Sequence, residues 1–214
     1  MAPAGDPGVG CAVTAGEIES LVAAAGLKHL EQSAAEQFSS YLGLLLKWNA
    51  KLNLTAVREP EAIARRHFLE SIQCAQALPA VETLLDFGSG AGFPGIPIAI
   101  CRPDIQVTLG ESQAKKAAFL RETLRTVKLK GEVFDGRIES MVVGRQFDAV
   151  TLRAVDNMAE ACREGLTRLK TGGWLIVFAA SAKSGWNQLA GVSWEAERPI
   201  VGATGGVLRM GRKA

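Results

Sequence analysis

Histidine is almost missing from this 214-residue chain. His29 and His67 are the only two, neither at ligand spacing to other donors, so no metal site is expected. The four cysteines, Cys11, Cys74, Cys101 and Cys162, lie far apart with no Cys-x-x-Cys pair. They read as buried, reduced thiols of a cytosolic protein rather than a disulfide or zinc framework. No apolar run approaches the roughly 20 residues that a membrane-spanning helix needs, so no membrane partner is expected. Residues 1–8 lack the basic region and apolar run of a secretory signal and read as a frayed end. The expectation is a soluble, cytoplasmic protein. A large charge of one sign is also lacking. With a net charge of only +2, any surface for nucleic acid must be a local patch. Repeats and low-complexity segments are absent.

What is present points to one domain plus an extension. Hydrophobic residues at 48% against 21% charged are ordinary for a globular chain. Thr14 and Glu17 fit a capping box, and Ile18, Leu21, Val22 and Ala25 follow at helical spacing. A second helix is predicted from about 33 to 46, with Phe38, Leu42, Leu45 and Leu46 on one face. Pro60 opens a third, with Ile63, His67, Phe68 and Ile72 inward. From residue 83 the pattern changes. Strands are predicted at 83–87, 105–109, 132–134, 147–152 and 174–178. Helices at 96–101, 114–127, 138–142 and 158–169 lie between them. Such alternation gives an α/β fold with a mostly parallel, doubly wound sheet. The tail at 192–197 and 206–210 reads as a closing antiparallel pair. The division expected is a helical extension over 1–80 and a Rossmann-like core over 81–214, forming one compact unit.

Residues 84–95 carry the strongest chemical signal. An apolar run ends in Asp86, and Gly88, Gly90, Gly92 and Gly95 follow within eight positions. Glycines so dense let the backbone turn sharply beside a ligand. Gly90-x-Gly92-x-x-Gly95 matches a dinucleotide fingerprint, with an acidic residue about 20 positions on. The rival is a methyltransferase loop, which Asp86-x-Gly88-x-Gly90-x-Gly92 fits in full. A pyrophosphate wants free N–H groups and no adjacent carboxylate. S-adenosylmethionine has no phosphate and brings an ammonium and a sulfonium, so Asp86 suits it. Pro94 and Pro97 also remove donors where a phosphate would need them. The methyl donor is favoured over a nicotinamide dinucleotide. Glu111, at the end of the second strand, is placed to accept both ribose hydroxyls. Its other reading is a cap for the helix that follows, a task Ser112 could also perform. Phe134 to Glu139 would flank the adenine, or form a solvated turn.

From residue 41 to 183 the chain resembles the bacterial small-subunit ribosomal RNA guanine-N7 methyltransferases, also called the glucose-inhibited division protein B family. The motifs are Trp48-Asn49 with Asn53-Leu54-Thr55, and Arg66-His67-x-Leu69-Glu70-Ser71. They continue with the loop from Gly88 to Pro97, Glu111-Ser112 with Lys115, and Phe119-Leu120. Arg137-x-Glu139, Phe147-Asp148 and Arg153-Ala154 complete them. The first two are absent from generic methyltransferases. The resemblance implies a class I methyltransferase that moves a methyl group from S-adenosylmethionine to N7 of guanine 527, in the 530 loop of 16S rRNA in the small ribosomal subunit. It also implies cofactor contacts at Gly88, Gly90, Phe93, Glu111, Ile138, Glu139 and Arg153. Two departures keep the carboxylate: Glu70 and Glu111 stand where the family usually has Asp. After Lys183 the family's acidic stretch is replaced, with Trp186 present.

Neutral guanine N7 offers a lone pair and no proton, so attack needs no general base. No Asn-Pro-Pro-Tyr motif and no catalytic dyad are found, so catalysis is expected from alignment. RNA contacts are expected from Lys47, Lys51, Arg58, Arg65 and Arg66, from Lys115, Lys116, Arg121, Arg125, Lys128 and Lys130, and from the tail cations Arg209, Arg212 and Lys213. Each run could equally be a solvated face. Arg66 and His67 read as structural, and Trp48 as an anchor between extension and sheet. A small-molecule methyltransferase and a non-catalytic, ribosome-docking cofactor binder remain alternatives. A monomer is the expectation.

Overall fold

Leu84 and Leu85, adjacent in sequence, are both fully buried, which an alternating half-exposed strand would not allow. They lie on β1 (Thr83–Phe87), at the centre of a sheet covered on both faces. The computed structural model describes residues 13–179, 189–203 and 205–214. Cys11, the end at 1–8, Lys183 and Trp186 lie outside the described residues.

The sheet runs in the order β3-β2-β1-β4-β5-β8-β6, with β7 (Arg198–Pro199) also paired to β8. Its parallel part comprises β1, β2 (Gln106–Glu111), β3 (Gly131–Asp135), β4 (Phe147–Arg153) and β5 (Leu169–Ala179). β8 (Val207–Lys213) closes antiparallel on β5, and β6 (Val192–Trp194) on β8. The strand order reverses between β1 and β4. In an open α/β sheet, ligands bind in the crevice at the carboxyl ends beside such a switch.

Helices α1 (Ala15–Ala24), α2 (Gln32–Leu52), α3 (Pro60–Ile63) and α4 (Leu69–Ala77) precede the sheet. The capping box forms, with Glu17 N–H donating to Thr14 and the Glu17 carboxylate accepting from Thr14 N–H. The second helix runs six residues past its predicted end and stops at Asn53, whose left-handed φ of 48° turns the chain out. These helices share one apolar core with α5 (Gly95–Cys101), α6 (Ala114–Thr126) and one sheet face. Tyr41 and Phe68 from the extension meet Phe93 from the core, Tyr41 also meets Phe119, Phe38 backs Phe68, and Trp48 packs on Phe119 at 5.7 Å. Trp48 is therefore an anchor. The opposite face is covered by α7 (Met158–Thr167) with Ile138 and Met141.

Several expected boundaries move. β5 starts at Leu169 rather than 174, pairing Leu169 with Phe147 across a register shift, so α7 ends early at Thr167. Lys170-Thr171-Gly172-Gly173 hides this start, because nothing in it alternates. The predicted helix at 138–142 is only a 3-10 turn over Ile138–Ser140, and Val142 and Val143 stand exposed beyond it. The third helix is one rod interrupted by a π turn, Ala64–Phe68. Among the described residues, no helix is long and apolar enough to cross a membrane.

Candidate functional site

The glycine loop leaves β1 at the switch point and turns through left-handed glycines. Gly88 has φ +71°, and a Cβ built there would lie 3.2 Å from Val155, just past the end of β4. Gly95 needs its missing Cβ for a different reason. A side chain there would sit 2.7 Å from the Asp86 carboxylate, to which Gly95 N–H donates at 3.1 Å. Asp86 is buried, and its other oxygen accepts from the Thr151 hydroxyl at 2.8 Å. Burial raises its carboxyl to about 6, with Thr151, Ser89 and Gly95 pulling the other way. Its carboxylate thus lies beneath the loop and braces it. Loop bonds from Ser89 N–H to Gly110 O (2.8 Å) and Gly92 N–H to Ser89 O (2.7 Å) complete the turn.

Glu111 ends β2 and joins two segments. One oxygen accepts from Gly90 N–H at 2.9 Å and the other from Gln113 N–H at 2.8 Å. The helix that follows starts at Ala114 with Gln113 in the cap position and no side-chain cap bond, so Ser112 does not cap it. Beside Glu111 opens a cavity of about 260 Å³, lined by Phe87, Gly110, Ser112, Gly136, Arg137, Ile138 and Glu139. Ile138 is buried against Gly110, and Glu139 is exposed. An apolar wall with polar atoms at the rim and a carboxylate beside it suits a nucleoside. A buried carboxylate facing loop N–H groups leaves little for a pyrophosphate. Gly88, Gly90, Glu111, Ile138 and Glu139 therefore gather around one crevice.

Phe93 and Arg153 face another way. The Phe93 ring is buried against His67 (4.8 Å between ring centres), Tyr41 and Phe68 of the extension. The Arg153 guanidinium lies over Phe93 at 5.7 Å and Phe178 at 6.0 Å. Its Nη2 reaches Glu70 at 2.6 Å and His67 Nδ1 at 2.7 Å. His67 Nε2 lies 3.0 Å from Thr55 Oγ1, and Asn49 Oδ1 accepts from Thr55 N–H at 2.9 Å. Ser71 donates to the His67 carbonyl at 2.7 Å. Residues of the 48–55 and 66–71 motifs thus converge on the end of β4. His67 is a buried, satisfied histidine as expected, while Arg66 beside it is exposed.

Tyr41 escaped sequence reasoning. Its hydroxyl donates to Ala91 O at 2.5 Å and ties α2 to the loop. Burial raises its phenol well above the usual range, and Asp86 adds to this. The available signal was a phenol among the apolar positions Phe38, Leu42 and Leu45 of the buried helix face. Thr151, which donates to Asp86, and Glu70, which accepts from Arg153, carry structural roles that no local pattern marks.

α2 and α6 run antiparallel, since Gln37 bonds to Val127 O and Trp48 meets Phe119. Exposed Lys47 and Lys51 therefore flank the end of α6 that carries exposed Lys115, on the side where β2 ends. Arg58, Arg65 and Arg66 are exposed on the neighbouring segment. The tail cations are spent internally. Arg212 donates to Gly172 O, Lys213 to Leu166 O and Leu169 O, and Arg209 pairs with Glu197 at 3.5 Å. Among the described residues, no three His, Cys, Asp or Glu side chains are grouped as metal ligands would be.

The family profile described as rRNA small subunit methyltransferase G matches residues 34–192. A protein of Xanthomonas oryzae pv. oryzae named ribosomal RNA small subunit methyltransferase G is 43% identical over 148 residues, 69% of each chain. One of the same name from Roseiflexus sp. is 46% identical over 138 residues, 61% of this chain and 58% of that one. Among solved structures, the O-methyltransferase from Bacillus cereus in complex with SAH aligns with a TM-score of 0.61 at 16% identity, covering 94% of this chain and 98% of that one. M. jannaschii TYW2 in complex with AdoMet aligns with a TM-score of 0.53 at 17% identity, over 67% and 73%. Those two likenesses establish a class I methyltransferase fold. The match across the helical extension and the sheet establishes more: this chain belongs to the rRNA small subunit methyltransferase G family.

Proposed function

We propose that this chain is an S-adenosylmethionine-dependent methyltransferase that modifies N7 of a guanine in the 530 loop of 16S rRNA. The observation that carries this reading is Glu111 bonded to Gly90 N–H at the switch point, beside a nucleoside-sized cavity, in a member of this family. When bound, S-adenosylmethionine supplies an electrophilic methyl group on a sulfonium. The backbone at Gly88 and Gly90 would line it, Glu111 would accept from the ribose, and Ile138 and Glu139 would border the adenine. Arg153 and Phe93 would complete the site at the end of β4. Asp86 holds the loop from below.

Guanine N7 has no proton to remove, and the transfer leaves a positive charge on the base. The protein's task is then to hold acceptor and donor in line and exclude water. That chemistry calls for neither a metal nor a second subunit, and the reading is of a monomer working in the cytoplasm. The extension (1–80) and the core (81–214) act as one unit, with RNA taken up by the cations around the crevice mouth: Lys47, Lys51, Arg58, Arg65, Arg66 and Lys115.

The test is transfer of labelled methyl groups from S-adenosylmethionine to unmethylated small subunits and to naked 16S rRNA, with the modified base mapped. Label at N7 of one 530-loop guanine is the expected result. Absence of label despite cofactor binding would overturn the substrate assignment and favour a small-molecule enzyme or a silent binder.

A further inference from the structure

Arg153 is held by the extension rather than by the sheet it ends. A guanidinium can only donate, so His67 Nδ1 must be the acceptor at 2.7 Å. His67 Nε2–H then donates to Thr55 Oγ1. This tautomer requires a neutral ring, and burial, reinforced by Arg153 and Arg66, pushes the imidazole down to about 3. Glu70 supplies the second acceptor on the same nitrogen at 2.6 Å. Phe93 and Phe178 fix the guanidinium plane. Among the described residues, Arg153 has no other hydrogen-bond partner, so its Nε and Nη1 donors are what it can offer a ligand.

His67 and Glu70 come from the π turn and the start of α4. A π turn widens the rod by one residue per turn and is a frequent feature of functional sites. Here His67 and Glu70, three apart, both reach Nη2 of one arginine more than eighty residues away in sequence. Two acceptors on one nitrogen fix where a side chain stands as well as its charge.

We infer that His67 and Glu70 are positioning residues for the methyl transfer, acting through Arg153 to orient it toward the methyl donor. This rests on the proposed reading of Arg153 as a cofactor contact. The extension then has two roles: its exposed cations meet RNA, and its buried histidine and glutamate complete the cofactor site.

Binding of S-adenosylhomocysteine, measured by calorimetry on the full chain, tests this with His67→Leu, His67→Asn, Glu70→Gln, Arg153→Ala and the double variant His67→Leu/Arg153→Ala. His67→Leu should bind roughly tenfold more weakly, the size of one charge-assisted hydrogen bond. His67→Asn, which keeps an acceptor near Nδ1, should recover to within about threefold. The double variant should bind no more weakly than Arg153→Ala, because residues acting through one another are not additive. A purely structural role would lower the melting temperature and give additive losses. Folded His67→Leu with wild-type affinity, or additive losses in the double variant, would overturn the inference. If His67→Leu fails to fold, Glu70→Gln carries the same cycle with Arg153→Ala, with the same two outcomes. Wild-type affinity in Arg153→Ala would instead overturn the cofactor role of Arg153, and the inference with it.

Discussion

The two sides of the crevice are built from different materials. The side formed by β1, its loop and Glu111 is mostly main chain: turns at Gly88 and Gly90, N–H groups of Gly90 and Gly95, and carboxylates that brace them. The side facing the extension is mostly side chain, with Tyr41, Thr55, His67, Glu70, Phe93 and Arg153 drawn from five segments. A main-chain site demands particular backbone angles and announces itself as dense glycine. A side-chain site demands only that distant residues meet, and leaves a thinner trace in sequence.

The comparison breaks most sharply at Gly88. Gly88→Val puts a branched residue at φ +71° and a carbon 3.2 Å from Val155. Affinity for S-adenosylhomocysteine should fall at least about a hundredfold, near 2.7 kcal/mol. Retained affinity would show that the loop is not the cofactor wall. The corresponding cut on the other side is Tyr41→Phe. It leaves the Ala91 carbonyl without its hydroxyl donor, at a cost of about 1–3 kcal/mol in denaturant unfolding, with cofactor affinity reduced several-fold. An unchanged midpoint would mean that α2 does not hold the loop.

The same contrast explains what was legible in sequence. β1 is predicted to the residue, because an apolar run ends at a carboxylate and glycines. The capping box and the start of α6 are likewise local. The π turn has no composition of its own. The meeting of His67 with Arg153 depends on how α4 docks over α5, a tertiary fact that no window along the chain contains. The tail cations mislead for a related reason. Arg212 and Lys213 look like free charges but lie on β8, where carbonyls of β5 and the end of α7 take them up.

A smaller effect sharpens the division proposed within the extension itself, between residues for RNA and residues for the cofactor. Replacing Arg65 and Arg66 by Ala removes two exposed cations, one paired with Glu61 at 2.6 Å, and leaves every hydrogen bond of His67 in place. RNA affinity should drop a few-fold and its logarithmic salt slope shrink by up to about 2, while affinity for S-adenosylhomocysteine stays at the wild-type value. An unchanged slope would make this patch ordinary surface.

The smallest net effect is the pH dependence of the wild-type chain, in which the two sides titrate in opposite senses and offset each other. Unfolded, His67 takes a proton below about 6.5, whereas folded it resists down to about 3. Between those values the unfolded state holds more protons, so this stabilisation is complete above about 6.5 and lost as pH falls. Asp86 behaves inversely. Its folded carboxyl keeps a proton up to about 6, while the unfolded one releases it near 3.9. Its contribution is present below about 3.9 and lost as pH rises through about 6. From pH 4 to 6 the windows overlap, with slopes of up to about 1.4 kcal/mol per pH unit and opposite sign. Urea unfolding of Asp86→Asn and His67→Asn, each subtracted from wild type at every pH, separates them. Relative to wild type, Asp86→Asn should gain stability as pH rises across this window, and His67→Asn should lose it. Differences that do not vary with pH would mean that neither group carries its burial into the folded state's proton balance, and that the two sides of the crevice are electrostatically alike.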